Sequence, residues 1–71
     1  MTVYEIKDII FDDTQVKFWD ENQEEIGTYY GMNDIEIPYD VDLAEIGLMW
    51  VDEEGILNID LEIRLEEIDF D

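Results

Sequence analysis

Leu57-Asn58-Ile59-Asp60-Leu61-Glu62-Ile63-Arg64-Leu65-Glu66 decides the fold, because five aliphatic residues alternate without interruption with five polar ones. A period of two sends the aliphatic side chains to one face of an extended chain and the polar ones to the other, so the segment reads as a long, half-buried strand. Just upstream, Leu48-Met49-Trp50-Val51 is a short apolar run, separated from Ile56 by Asp52-Glu53-Glu54-Gly55. The glycine supplies the positive φ that a hairpin loop needs, which predicts a hairpin with strands near 48–52 and 56–65. Trp50, inside the apolar run, reads as core.

The N-terminal half carries a second hairpin. Val16 and Phe18 share one face, residues 20–25 are polar, and Ile26, Thr28 and Tyr30 return on one face, which predicts strands near 15–19 and 25–30. Ile35, Ile37 and Tyr39 alternate with Asp34, Glu36 and Pro38; proline cannot donate to a ladder, so this strand belongs at an edge or ends early. In Asp42-Leu43-Ala44-Glu45-Ile46-Gly47, an N-cap acceptor, a carboxylate three residues later and a terminal glycine suit one helical turn. Residues 2–11 admit two readings. Thr2 with Glu5 could form a capping box, and Val3, Ile6 and Ile10 keep helical spacing; the β-branched and aromatic content favours a strand with a bulge near Asp8, and strand is the preferred reading. The sum is a mainly β protein, a small antiparallel sheet of five to six strands, either curled and barrel-like or carrying one short helical turn near 42–46. With no linker, repeat or break in composition, residues 1–71 form a single acidic domain. Such a chain hides only about 60% of the surface it exposes unfolded, so its core is modest.

Charge bounds the function. Three basic residues stand against 22 carboxylates, a net charge of −19, yet 46% of residues are hydrophobic and 13% aromatic, far above acidic disordered chains. The chain contains no Cys, His or Ser, which removes disulfides, thiolate or imidazole metal sites and every Ser–His or Cys–His nucleophile. Carboxylate pairs such as Asp12-Asp13, Asp40 with Asp42, and Asp69 with Asp71 are inevitable among 22. Acid–base catalysis also needs a cleft that raises one pKa, and a chain this short has little room for a pocket of about 300 Å³ or more. The segment Asp20-Glu21-Asn22-Gln23-Glu24-Glu25 opens like a calcium loop but lacks Gly at its sixth place and has Gly31 where a bidentate Glu belongs. No enzyme, cofactor or metal site is expected. No leader and no apolar run of the roughly 18 residues that span a bilayer is evident, so a cytoplasmic location is expected. Phosphates and anionic leaflets repel an acidic surface, which argues against direct binding to nucleic acid or membrane and for a basic protein partner. The same repulsion predicts a monomer at low salt.

Two carboxylate clusters are the candidate partner-binding residues. The first is Asp52, Glu53, Glu54, Asp60, Glu62 and Glu66 on the long strand and its loop; the second is Asp20, Glu21, Glu24 and Glu25 in the first hairpin. Residues i and i+2 of a strand lie about 6.8 Å apart, which sets Asp60 and Glu62 at a spacing comparable to successive phosphates of one nucleic-acid strand, roughly 6–7 Å. Trp19 and Tyr29, on the face expected to lie opposite Phe18 and Tyr30, are candidate aromatic anchors. In its small size, acidity, expected sheet and lack of His, Cys and Ser, the chain resembles the small acidic phage-encoded inhibitors that mimic DNA: anti-CRISPR and anti-restriction proteins and inhibitors of uracil-DNA glycosylase. That resemblance implies a non-enzymatic inhibitor occupying the basic nucleic-acid-binding groove of a CRISPR or restriction nuclease in the bacterial host cytoplasm. The alternative is an acidic antitoxin or immunity protein neutralising a basic toxin, or a small structural phage protein.

Overall fold

Val16 and Phe18 alternate with Gln15, Lys17 and Trp19, and both apolar side chains are fully buried because their strand, β1 (Gln15–Trp19), lies inside the sheet. The computed structural model describes residues 1–9, 13–30 and 37–70. Among these, β1, β2 (Glu25–Tyr30), β3 (Ile46–Val51) and β4 (Leu57–Leu61) form one four-stranded sheet in the order β2-β1-β4-β3. The first two match the strands expected near 15–19 and 25–30. Both hairpins are antiparallel, and β1 and β4 join them side by side in parallel, with Phe18 opposite Ile59. The sheet is therefore mixed rather than antiparallel, has four strands rather than five or six, and is open rather than barrel-like, with β2 and β3 at its edges.

A layer of short helices covers one face of the sheet. Residues 2–11 were expected to be extended, but α1 (Val3–Ile6) and a 3-10 turn, Lys7–Ile9, occupy the described part. The capping box prevails over β propensity: the Thr2 backbone N–H donates to Glu5 Oε1 at 2.9 Å, and Val3 and Ile6, three apart, are both buried beside α2. That second helix, α2 (Tyr39–Leu43), begins three residues earlier than the turn expected near 42–46. Pro38 stands at its N-cap, where an N–H has no intrahelical acceptor to lose. Tyr39 is thus helical rather than the end of an edge strand, and residues 34–36 of that expected strand lie outside the described residues. Val3, Ile6, Val41, Ala44 and Ile68 close the core over Val16, Phe18, Ile59 and Leu61. No helix among the described residues is long and apolar enough to cross a membrane.

The long strand stops at Leu61 although its alternation runs on to Glu66. Glu21 N–H donates to the Ile63 carbonyl at 2.9 Å and Leu65 N–H donates to Asp20 Oδ2 at 2.9 Å, so the first hairpin loop draws the chain out of the sheet. A 3-10 turn, Leu65–Glu67, follows. At the other end of the sheet, β3 is apolar but not covered: Leu48 is 59% exposed, Met49 42%, Trp50 37% and Val51 66%. Trp50 is therefore not core. An apolar run implies burial only where a strand has neighbours on both sides, and among the described strands β3 has one, β4.

Candidate protein-binding surface

Every basic side chain is held by acids of its own chain. Lys7 pairs with Asp42 at 3.2 Å, Lys17 pairs with Glu25 at 3.6 Å and sits over the Trp19 ring, and Arg64 lies within reach of Glu21, Glu66 and Glu67. The N-terminal amine pairs with Glu45 at 2.7 Å. The Arg64–Glu67 bond, at 2.8 Å, holds the Glu67 carboxyl below its ordinary range. No cation is left over to offset the exposed Glu24, Glu53, Glu54 and Glu62, none of which pairs with a basic group among the described residues. Their charge faces outward, uncompensated by any basic group among the described residues.

Two of the candidate aspartates hold the fold. Asp20 is 1% exposed and accepts three backbone N–H groups: Asn22 and Glu24 on Oδ1, both at 2.8 Å, and Leu65 on Oδ2. The bond from Glu24, with those from Leu65 and Asn22, outweighs burial and keeps this carboxyl below the usual carboxylate range. Asp52 caps the second hairpin in the same way, accepting Glu54 and Ile56 N–H on Oδ1 and Asn58 Nδ2 on Oδ2 at 3.0 Å. The Asn58 bond, then the backbone bonds, lower its pKa as well. The sequence signal for both was present: an aspartate opening a polar loop, poised to accept the N–H two residues on, is an Asx turn.

Asp60 and Glu62 do not both lie on β4. Asp60 lies on β4 with one carboxylate oxygen buried, whereas Glu62 lies beyond the strand end and is exposed. Glu53 and Glu54 project from the hairpin turn, Glu66 from the 3-10 turn, and Glu21, Glu24 and Glu25 from the first hairpin. The exposed carboxylates thus belong to loops and strand ends rather than to one strand face.

The aromatic pair also divides. Tyr29 lies opposite Val16, stacks at 5.9 Å and a tilt of 54° on Phe18, and spreads its ring over Gly27, where a Cβ would come within 2.9 Å of the phenol oxygen. It faces the core, not the side expected. The register shift between Phe18 and Trp19 explains this, because one extra residue in β2 reverses the faces read from the turn outward. Trp19 does lie on the uncovered face, where its Nε1–H donates to Asn58 Oδ1 at 2.8 Å. Asn58, 3% exposed, is the residue that the alternation had assigned to solvent. Flanked by β1 and β3, it links Trp19 to Asp52 and to the Ile56 carbonyl.

An open depression of about 240 Å³ between the first hairpin loop and the 3-10 turn is lined by Asn22, Glu24, Arg64, Leu65 and Glu66. It offers ion pairs but no activated nucleophile. Among the described residues no group of three or more carboxylates is placed to hold a metal. The surface therefore has two chemically distinct parts: outward carboxylates on the loops, and an uncharged apolar edge, residues 46–51, flanked by Glu45 and Glu62 at one end and Glu53 and Glu54 at the other. Comparison with protein-family models, curated proteins and solved structures finds no match to this chain.

Proposed function

We propose that this protein is a non-enzymatic inhibitor whose carboxylate surface occupies the basic nucleic-acid-binding groove of a bacterial defence nuclease, with a CRISPR effector as the foremost target. The observation that carries the reading is the internal pairing of all three cations, which leaves Glu24, Glu53, Glu54 and Glu62 to act outward at a net charge of −19. A positively charged channel that tracks phosphates would gain from such a surface both fast electrostatic capture and ion pairs formed on exclusion of water. Because these carboxylates sit on turns rather than along β4, the mimicry is of charge density more than of a regular phosphate row.

The test is competition. Purified protein is titrated into CRISPR and restriction nucleases bound to labelled target DNA at low and moderate salt. Displacement of DNA and loss of cleavage, both weakening steeply as salt rises, are the expected results. Unchanged DNA binding and cleavage across the panel at low salt would overturn the proposal. An antitoxin role would instead show as tight capture of one basic toxin with no effect on any nuclease.

A further inference from the structure

Among the described residues, the outer edge of β3 is an open, exposed strand edge. Edge strands are ordinarily blunted by charge, proline or a covering element, because their free N–H and C=O groups template pairing with another chain. β3 carries none of these over residues 47–51: Gly47, Leu48, Met49, Trp50 and Val51 are uncharged and exposed on both faces. Its hydrogen-bond phase follows from the hairpin. Asp52 N–H donates to the Ile56 carbonyl at 3.1 Å, so in an antiparallel ladder Trp50 and Leu48, opposite Asn58 and Asp60, also bond inward. Met49 and Val51 then turn their N–H and C=O groups outward. Among the described residues only the start of the edge is used: Ile46 N–H donates to the Met1 carbonyl at 2.8 Å.

Charge selects the occupant. A second copy pairing antiparallel along this edge would bring Glu45 and Glu62 of one molecule against Glu53 and Glu54 of the other, between chains of −19 each. A strand with basic ends meets the opposite situation at both ends of the same edge. We infer that residues 47–51 form a docking strand that adds to its sheet an extended, uncharged segment of a partner protein flanked by lysines or arginines. Main-chain bonds from Met49 and Val51 hold the segment, while Leu48 and Trp50 on one face and Met49 and Val51 on the other cover its side chains. The inference rests on the proposed function insofar as the segment belongs to the same basic partner, but it concerns a different surface.

The test uses a fluorescein-labelled peptide, Lys-Lys-Thr-Val-Thr-Val-Thr-Lys-Lys, and its counterpart with Glu in place of every Lys, titrated into the full chain by anisotropy with amide hydrogen exchange read residue by residue. The expected result is saturable binding of the Lys peptide, at least tenfold tighter than the Glu peptide, with exchange at Met49 and Val51 slowed about tenfold. Val51→Pro removes one outward donor at a position that owes no bond to β4 and is expected to weaken binding at least tenfold. A matching near-ultraviolet spectrum and melt establish that it folds; should it not fold, exchange in the unaltered protein decides alone. Equal binding of the two peptides, protection confined to residues outside 47–51, or a dimer with Met49 and Val51 protected in the absence of peptide would each overturn the inference. Nuclease inhibition is measured in parallel with Val51→Pro: the Lys peptide docking on β3 without any nuclease being inhibited sinks the proposed function alone. Inhibition by a protein that does not bind the peptide sinks the docking strand alone.

Discussion

Asn58→Ala is the perturbation that most sharply probes how the two hairpins are joined. The side chain is 3% exposed and makes three hydrogen bonds: it accepts from Trp19 Nε1 at 2.8 Å and donates to Asp52 Oδ2 and the Ile56 carbonyl at 3.0 Å each. At a net contribution of about 1 kcal/mol per bond, their loss costs about 3 kcal/mol. A chain of this length has a total stability of roughly 4–11 kcal/mol, so the deletion removes a large share of it. The corresponding fall in Tm is about 12–24 °C. Trp19→Phe removes the indole N–H together with the five-membered ring that carries it, and should cost about 1 kcal/mol for the bond plus the lost packing. Because these two residues touch across the parallel β1–β4 pair, the double mutant should be less destabilised than the sum of the singles by about 1 kcal/mol. Urea denaturation of the four proteins in the cycle measures this coupling. Asn58→Asp, which sets a second carboxylate against Asp52, should be destabilised at neutral pH and recover as acid lets the pair share a proton. An Asn58→Ala cost below about 0.5 kcal/mol, or strictly additive single mutants, would refute the parallel junction of β1 and β4.

Further outcomes follow from the two aspartate acceptors, the turn and the charge. Asp20 and Asp52 have folded-state pKa values below those of the unfolded chain, so their stabilisation is complete above the unfolded value of about 4 and is lost as pH falls through the lower folded values. Melts between pH 2 and 6 should show this acid limb, and Asp20→Asn or Asp52→Asn should flatten it while lowering Tm at neutral pH. Gly55 has φ +81°, and nothing lies within 4 Å of an added Cβ, so Gly55→Ala should cost about 1 kcal/mol from backbone strain alone. A chain of −19 should sediment as a monomer at low salt, and a tight dimer there would contradict the repulsion argument.

The legible parts of the sequence were those with a local cause. Alternation about Val16 and Phe18, and again about Ile26 and Tyr30, marks β1 and β2, and Gly55 marks the turn between β3 and β4. The parallel contact of β1 with β4 leaves no such trace, because it joins residues some 40 positions apart through pairings such as Lys17 with Asn58. Alternation likewise overstated the length of β4, since the carboxylate of Asp20 competes for the Leu65 N–H and ends the strand. Around residues 2–6 two local signals conflicted, and the capping box with burial of Val3 and Ile6 outweighed β propensity. At the candidate site, an overall count of carboxylates treats all 22 alike; only geometry separates Asp20 and Asp52, which hold the fold, from Glu53, Glu54 and Glu62, which do not. Trp50 illustrates the same limit for apolar residues: hydrophobicity marks a strand but not whether that strand is central or at an edge.

Occupation of a nuclease's nucleic-acid groove by the outward carboxylates is decided by one comparison. The unaltered protein and a variant carrying Glu53→Gln, Glu54→Gln, Glu62→Gln and Glu66→Gln compete with labelled DNA for the same CRISPR effector across a salt series, after melts show that both are folded. The unaltered protein is expected to displace DNA with a steep salt dependence, and the variant to need at least tenfold more protein with a shallower slope. Equal displacement by both proteins, or none by the unaltered protein at low salt, would contradict it.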